Sequence, residues 1–159
     1  MMWVCRAGQK ANDFDLYMKS NKIYIPWEGY NSDYSKIEEL AMFREIVSKE
    51  KMVDNRTTIS NWSSQIYQFV NVISIDDYVL VPGPQSRLYH LAKVTGGYTY
   101  SSNGKYHHSR DIEFIVKDIP REIFDQRTQY SLGAYRTLFK AKNEEYIIEK
   151  INEWKDKNE

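Results

Sequence analysis

Apolar residues along this chain keep two different rhythms, helical in the first half and alternating in the second. In residues 60–73, Trp62, Ile66, Phe69, Val70 and Ile73 recur at helical spacing and share one face. Ser60 or Asn61 offers a side-chain oxygen to cap that helix, which places Trp62 in its first turn. Asp76 and Asp77 interrupt the pattern. Residues 78–81 then make a short apolar strand that Pro82 ends.

The same reading extends in both directions. Residues 2–6 predict a first strand, and Asn12 caps a short helix carrying Phe14, Leu16, Tyr17 and Met18. Residues 22–27 predict a second strand whose Pro26 marks an edge or turn. Ser35 and Glu38 have capping-box spacing and open a helix with Ile37, Leu40, Ala41 and Val47 on one face. Residues 54–58 read as a connector. Beyond the turn at 82–84, residues 87–95 alternate as a half-buried strand does, and Gly96-Gly97 marks a turn or bulge before 98–100. Asn103-Gly104 signals a hairpin turn, and residues 111–117 alternate again. Residues 123–139 mix short helical turns with a last strand near 135–139. Residues 143–157 form a charged amphipathic helix with Ile147, Ile151 and Trp154 in register. Helices early and antiparallel strands late predict an α+β domain around one closed or nearly closed sheet.

Composition narrows the class. A chain of 159 residues suits one domain with a real core, and no apolar run approaches the roughly 18 residues of a membrane span. Residues 1–8 lack the pattern of a signal peptide, and a single Cys5 excludes an internal disulfide; both place the chain in the reducing cytoplasm. Lys and Arg number 22 against 22 Asp and Glu, so any nucleic-acid role must rest on a local patch or a base pocket. The 13 tyrosines and 4 tryptophans suit strands as well as ligands.

Candidate chemistry follows from the indoles. Trp62 at a helix start sits beside unsatisfied N–H donors and a partial positive charge, which suits a flat, electron-rich ligand such as a nucleobase. Trp27, between Pro26 and a polar loop, is the stronger candidate, with Asn61 as an edge donor; Trp62 suits the core equally, and Trp3 in the first strand suits the core better than a ligand. Tyr30, Asn31, Asp33 and Tyr34 offer a pocket rim or a plain solvated loop. Arg6, Arg87 and Arg110 can hold phosphates, and Lys105 and Arg110 with Tyr98, Tyr100 and Tyr106 form an aromatic and basic hairpin. His107-His108 point to opposite faces of a strand and cannot readily share a metal. Asp111 and Glu113 lack the following lysine of a nuclease pattern, and no nucleophile or phosphate-loop motif is present. No catalysis, cofactor or metal is expected.

Five fragments taken in order carry a family resemblance. They are W-x-x-R-A-G at Trp3, Arg6, Ala7 and Gly8, the I-x-W of Ile25 and Trp27, I-S-N-W-x-x-Q-I-Y-x-F over 59–69, D-Y-V-L-V-P over 77–82, and R-x-I-E-F over 110–114. Together they resemble the N-terminal module of Mrr-like, modification-dependent bacterial restriction proteins, a PUA-like (EVE-like) domain. The resemblance covers roughly residues 2–140 and implies a pseudo-barrel flanked by helices. It implies a sensor that flips or captures a modified base, in DNA with RNA not excluded, and so targets a defence effector. The pocket it implies is built from Trp27, Trp62, Asn61, Trp3, Arg6, Tyr30, Asp33 and Pro82, with Arg87, Lys105 and Arg110 on the nucleic-acid backbone. Residues 1–142 are then the recognition domain, and 143–159 a helix leading to a nuclease or motor domain. The rival expectation is a protein-interaction or scaffold module that keeps the fold without a base pocket. Neutral net charge favours it, as does the absence of the Lys-Thr-Glu-Pro and Tyr-His-Ser runs of EVE domains.

Overall fold

In a computed structural model, residues 1–50, 54–84 and 88–158 are described. The elements are β1 (Met2–Cys5), α1 (Phe14–Ser20), β2 (Lys22–Tyr24), α2 (Leu40–Glu50), α3 (Arg56–Tyr67), β3 (Tyr78–Pro82), β4 (Leu88–Tyr100), β5 (His108–Pro120), α4 (Gln126–Leu132), β6 (Leu138–Lys140) and α5 (Glu144–Lys157). Their six strands form one sheet in the order β2-β5-β4-β3-β1-β6. The fold is α+β, as the alternation implied. Two features differ from the expectation: the sheet is open, with β2 and β6 at its edges, and β1 pairs with β3 in parallel.

That parallel pair explains the composition of β1 and β3. Trp3, Cys5, Val79 and Val81 enter a core on one face of the sheet, while Met2, Val4 and Leu80 enter a second core on the other. Strands buried on both faces read as continuous apolar runs, which is how MWVC and YVLV appear. The first core is covered by α1, α2 and α3 through Tyr17, Phe43, Val47 and Ile66, and by the turn after α3 through Phe69. The second is covered by α4 and α5 through Leu132, Ile147 and Ile151. The amphipathic C-terminal helix is therefore built into the domain, with Ile147 and Ile151 fully enclosed.

Two helix starts differ from the sequence expectation. The first turn of α3 lies a full turn earlier, because Asn55, not Ser60 or Asn61, is the cap; its side-chain oxygen accepts the Thr58 N–H at 3.0 Å. Ser60, Asn61 and Trp62 are thus mid-helix, without free backbone donors beside the indole. Helix α2 begins at Leu40 instead of Ser35. The Ser35 N–H is taken by the Asp33 carboxylate at 2.9 Å and the Ile37 N–H by the Tyr34 carbonyl, so residues 33–37 form a turn. In both places a nearby Asx side chain competes for the backbone donors, and local spacing alone does not show which wins.

The long β4–β5 hairpin carries the bulge expected at Gly96-Gly97, seen as a register shift between Val94 and Tyr98. A Cβ at Gly96 would approach the Asp111 carboxylate to 2.9 Å, so a larger residue here would push the Asp111 side chain aside. The hairpin turn falls at Gly104, in a left-handed conformation at φ 91°.

Candidate functional site

The loop that leaves β1 sets the site. Gly8 has φ 78°, and a Cβ there would collide with the Asp13 carboxylate. Lys10 and Ala11 follow with φ 55° and 57°, two consecutive left-handed residues that are not glycine. Strain of this kind persists only where surroundings over-determine it. Here Asp13 does so: its N–H donates to the Ala7 carbonyl at 2.8 Å, and its buried carboxylate accepts from Lys105 Nζ at 2.7 Å and the Tyr106 hydroxyl at 2.6 Å. The tip of the β4–β5 hairpin thereby braces the 6–13 loop.

Trp27 lies across from this loop, directly after β2. Its indole is half-buried, with ring centres 6.1 Å from Trp62 and 6.0 Å from Tyr30, and its Nε1 donates to Thr137 Oγ1 at 3.3 Å. Two clefts meet at this ring. One, of about 330 Å³, is lined by Pro26, Trp27, Glu28, Tyr30 and Trp62. The other, of about 530 Å³, brings Arg6, Lys10 and Arg136 together with Trp27 and Tyr135 and has no carboxylate in its lining. Arg6 donates to the carbonyls of Ala134 and Arg136 at 2.8 and 3.1 Å, holding the far wall. A narrower groove of about 230 Å³ continues past Arg6 and Lys10 to Pro82 and Gly83.

The loop behind Trp27 is pinned by His108. The Tyr30 carbonyl can only accept, so His108 Nε2, 2.6 Å away, carries the proton and donates to it. His108 Nδ1 then accepts from the Tyr98 hydroxyl at 2.6 Å, whose oxygen accepts the Tyr34 N–H at 3.2 Å. The imidazole also stacks on Tyr34 at 4.5 Å. Burial holds the His108 pKa below its ordinary value, against the upward pull of the Tyr30 carbonyl and Asp33. Burial likewise lowers that of His90, which packs on Phe14. Between these lowered values and about 6.5 the unfolded chain binds more protons than the folded one, so stability present above that range is lost as pH falls through it. Urea midpoints measured from about pH 8 to 5 should therefore decline on the acid side; a flat profile would contradict the neutral imidazole at the Tyr30 carbonyl.

The structure brings some expected site residues together and disperses others. Trp27, Trp62 and Tyr30 share the smaller cleft, with Tyr30 itself almost fully buried, while Arg6 and Pro82 line the groove on the other side. Trp3 is 1% exposed and donates its Nε1 to Asp77 at 2.9 Å, so it belongs to the core. Asn61 faces its own helix: it accepts from Gln65 Nε2 at 3.0 Å, and Gln65 in turn accepts the Leu138 N–H at 2.9 Å, tying α3 to β6. Asp33 is the turn former described above. Of the expected backbone contacts, Arg110 is 3% exposed and spent on the carbonyls of Gly96 and Phe69, both at 3.1 Å. Lys105 is exposed, but its ammonium is paired to Asp13, and Arg87 lies outside the described residues.

Sequence reasoning missed Lys10, Tyr135 and Arg136. The one available hint was Gly8 preceding Lys10; nothing local links residues 134–137 to the first strand. Among the described residues, no three His, Cys, Asp or Glu side chains converge as metal ligands. Cys5 is buried, and burial pushes its thiol up to about 12, which keeps it protonated. Among the same residues no helix is long and apolar enough to cross a membrane.

Comparison with known proteins adds one match. The model of a family described as a domain of unknown function (DUF8426) matches residues 3–141, ending just before α5. No curated protein matches the chain.

Proposed function

We propose that this chain, which belongs to the DUF8426 family, is a nucleic-acid recognition module that takes one flipped or unpaired base, modified in its preferred substrate, against Trp27. The observation that carries this reading is the position of that indole. It stands between an aromatic cleft with Trp62 and Tyr30 and a second cleft whose charged lining, Arg6, Lys10 and Arg136, is entirely cationic. A base needs a flat surface for stacking, worth roughly 1–3 kcal/mol, and its flanking phosphates need guanidinium or ammonium groups within reach. Both lie side by side here.

The order of the five sequence fragments supports PUA-like kinship and a role in guiding a restriction or defence effector; the open sheet is a departure from the pseudo-barrel of that kinship. Supporting residues differ from the initial set. Trp3 lies in the core and Asn61 braces α3 through Gln65, so neither lines the clefts, and Lys10 and Arg136 take the electrostatic role first given to Arg110.

Fluorescence titrations with single-stranded oligonucleotides carrying methylated, hydroxymethylated or unmodified bases test the reading. Wild type should bind one of them above background in low salt, and Trp27→Ala should weaken that binding about 5- to 100-fold, the equivalent of one stacked base. Equal binding by both proteins, or none by either, would leave the interaction-module reading in its place.

A further inference from the structure

The neutral net charge conceals a segregation of charge. Around the end of α4 and β6 a groove of about 1060 Å³ is lined by Arg121, Arg127, Arg136, Lys140 and Lys142 with no acidic residue. Two tyrosines stand in the same lining, Tyr130 at 86% and Tyr135 at 92% exposure, the most exposed large aromatics among the described residues. The compensating acids lie apart, with Glu144, Glu145, Glu149, Glu153 and Asp156 gathered on the outer face of α5. The Asp125 carboxylate, whose charge Arg127 helps to stabilise, is engaged in capping α4 through the Thr128 N–H. Arg121 Nε is buried at the groove and makes no hydrogen bond among the described residues.

We infer that this groove carries the backbone of single-stranded nucleic acid leading into the Trp27 cleft. Tyr135 and Arg136 line both the groove and the cleft, so one strand can run through them without a break. Four exposed cations and the half-buried Arg121, in a lining that holds no acidic side chain, match a polyanion. Exposed phenol rings interspersed with them match unpaired bases, each of which presents a face for stacking. Nucleic acid is chosen over an acidic protein or an anionic membrane because the groove runs into the Trp27 cleft through Tyr135 and Arg136. The acidic face of α5 begins at Glu144, next to Asn143 of the groove lining, and repels a strand that strays from the groove. The inference rests on the proposed function for the class of partner, and on the groove for its own evidence.

The test uses fluorescence anisotropy with a labelled thymine-rich single strand, and its RNA counterpart, between about 50 and 200 mM salt. One variant is Arg127→Ala with Lys140→Ala and Lys142→Ala, all exposed positions. A second is Tyr130→Ala with Tyr135→Ala, and a third is Trp27→Ala; melting curves confirm folding of each. The triple variant should lower the slope of log affinity against log salt by about 2, the contribution of three released counterions on a single strand. The tyrosine variant should weaken binding at least about fivefold with little change in slope. Unchanged affinity and slope in the triple variant, with loss in Trp27→Ala, overturns the groove and leaves the base reading standing. Loss in the groove variants with Trp27→Ala unaffected overturns the base reading and supports the groove. Binding to phosphatidylserine vesicles or polyglutamate as tightly as to the strand, with the tyrosine variant unaffected, overturns the choice of nucleic acid.

Discussion

Replacing Trp3 by alanine should lower the unfolding free energy by about 3–5 kcal/mol, the usual cost of removing a large aromatic from a packed core. Trp3 is 1% exposed at the centre of β1, which lies between β3 and β6 in the middle of the chain's first core. Its Nε1–H is also one of three donors to Asp77, with the Ser74 N–H at 2.9 Å and the N-terminal ammonium at 3.1 Å. Burial alone would raise the Asp77 pKa; these bonds outweigh it and hold the carboxyl below its ordinary value. Losing the indole therefore leaves a cavity and strips a buried carboxylate of a donor. Trp3→Phe should cost less, since it keeps much of the ring and loses the bond. Thermal melts read the difference at about 2–4 °C per kcal/mol for a chain of this size. Were Trp3 a base-contacting residue, Trp3→Ala would instead weaken oligonucleotide binding with the melting temperature unchanged.

Arg110→Met should act in the same direction. The guanidinium is enclosed between β4 and the turn that follows α3, where it donates to the Gly96 carbonyl at the bulge and to the Phe69 carbonyl. Methionine fills a similar volume but offers no donor, and each carbonyl left unmatched in the interior costs about 1–3 kcal/mol. Burial lowers the Arg110 pKa while the nearby Asp77 charge opposes that shift, so the pair shares one buried electrostatic environment. The expected result is a loss of about 2–5 kcal/mol in urea unfolding, with the salt dependence of any nucleic-acid binding unchanged in the protein that remains folded. A phosphate contact would give the opposite pattern, a shallower salt slope at full stability.

These two residues show where local reading succeeds and where it stops. The strand at 78–82, the bulge at Gly96-Gly97, the hairpin turn at 103–104 and the amphipathic face of Ile147 and Ile151 were all legible, because each depends on side chains a few positions apart. Trp27 was legible as well, since a tryptophan between a proline and a polar loop has few neighbours to bury it. Arg110 was not. A basic residue in an alternating strand looks solvent-facing until a helix from 41 positions away presents a carbonyl to it. The helix starts at Asn55 and Leu40 were misplaced for a related reason: Asn55, Ser60 and Asn61 all have capping chemistry, and packing of Ile59, Trp62 and Ile66 decides which of them lies outside the helix.

By itself, the sequence determined the α+β class, the sequence positions of most strands and helices, and the placing of Trp27 between Pro26 and a polar loop. Those properties follow from periodicity and turn chemistry, which act over a few residues. Only the tertiary structure decided that β1 pairs in parallel with β3, that Trp3 and Arg110 belong inside, and that Arg6, Lys10 and Arg136 converge beside Trp27. It also decided that a chain with balanced charge gathers five cations in the lining of one groove and five acids along one face of α5. Net charge is a sum over composition, whereas binding responds to where charges stand in space, and only the packing of α4, α5 and β6 sets that.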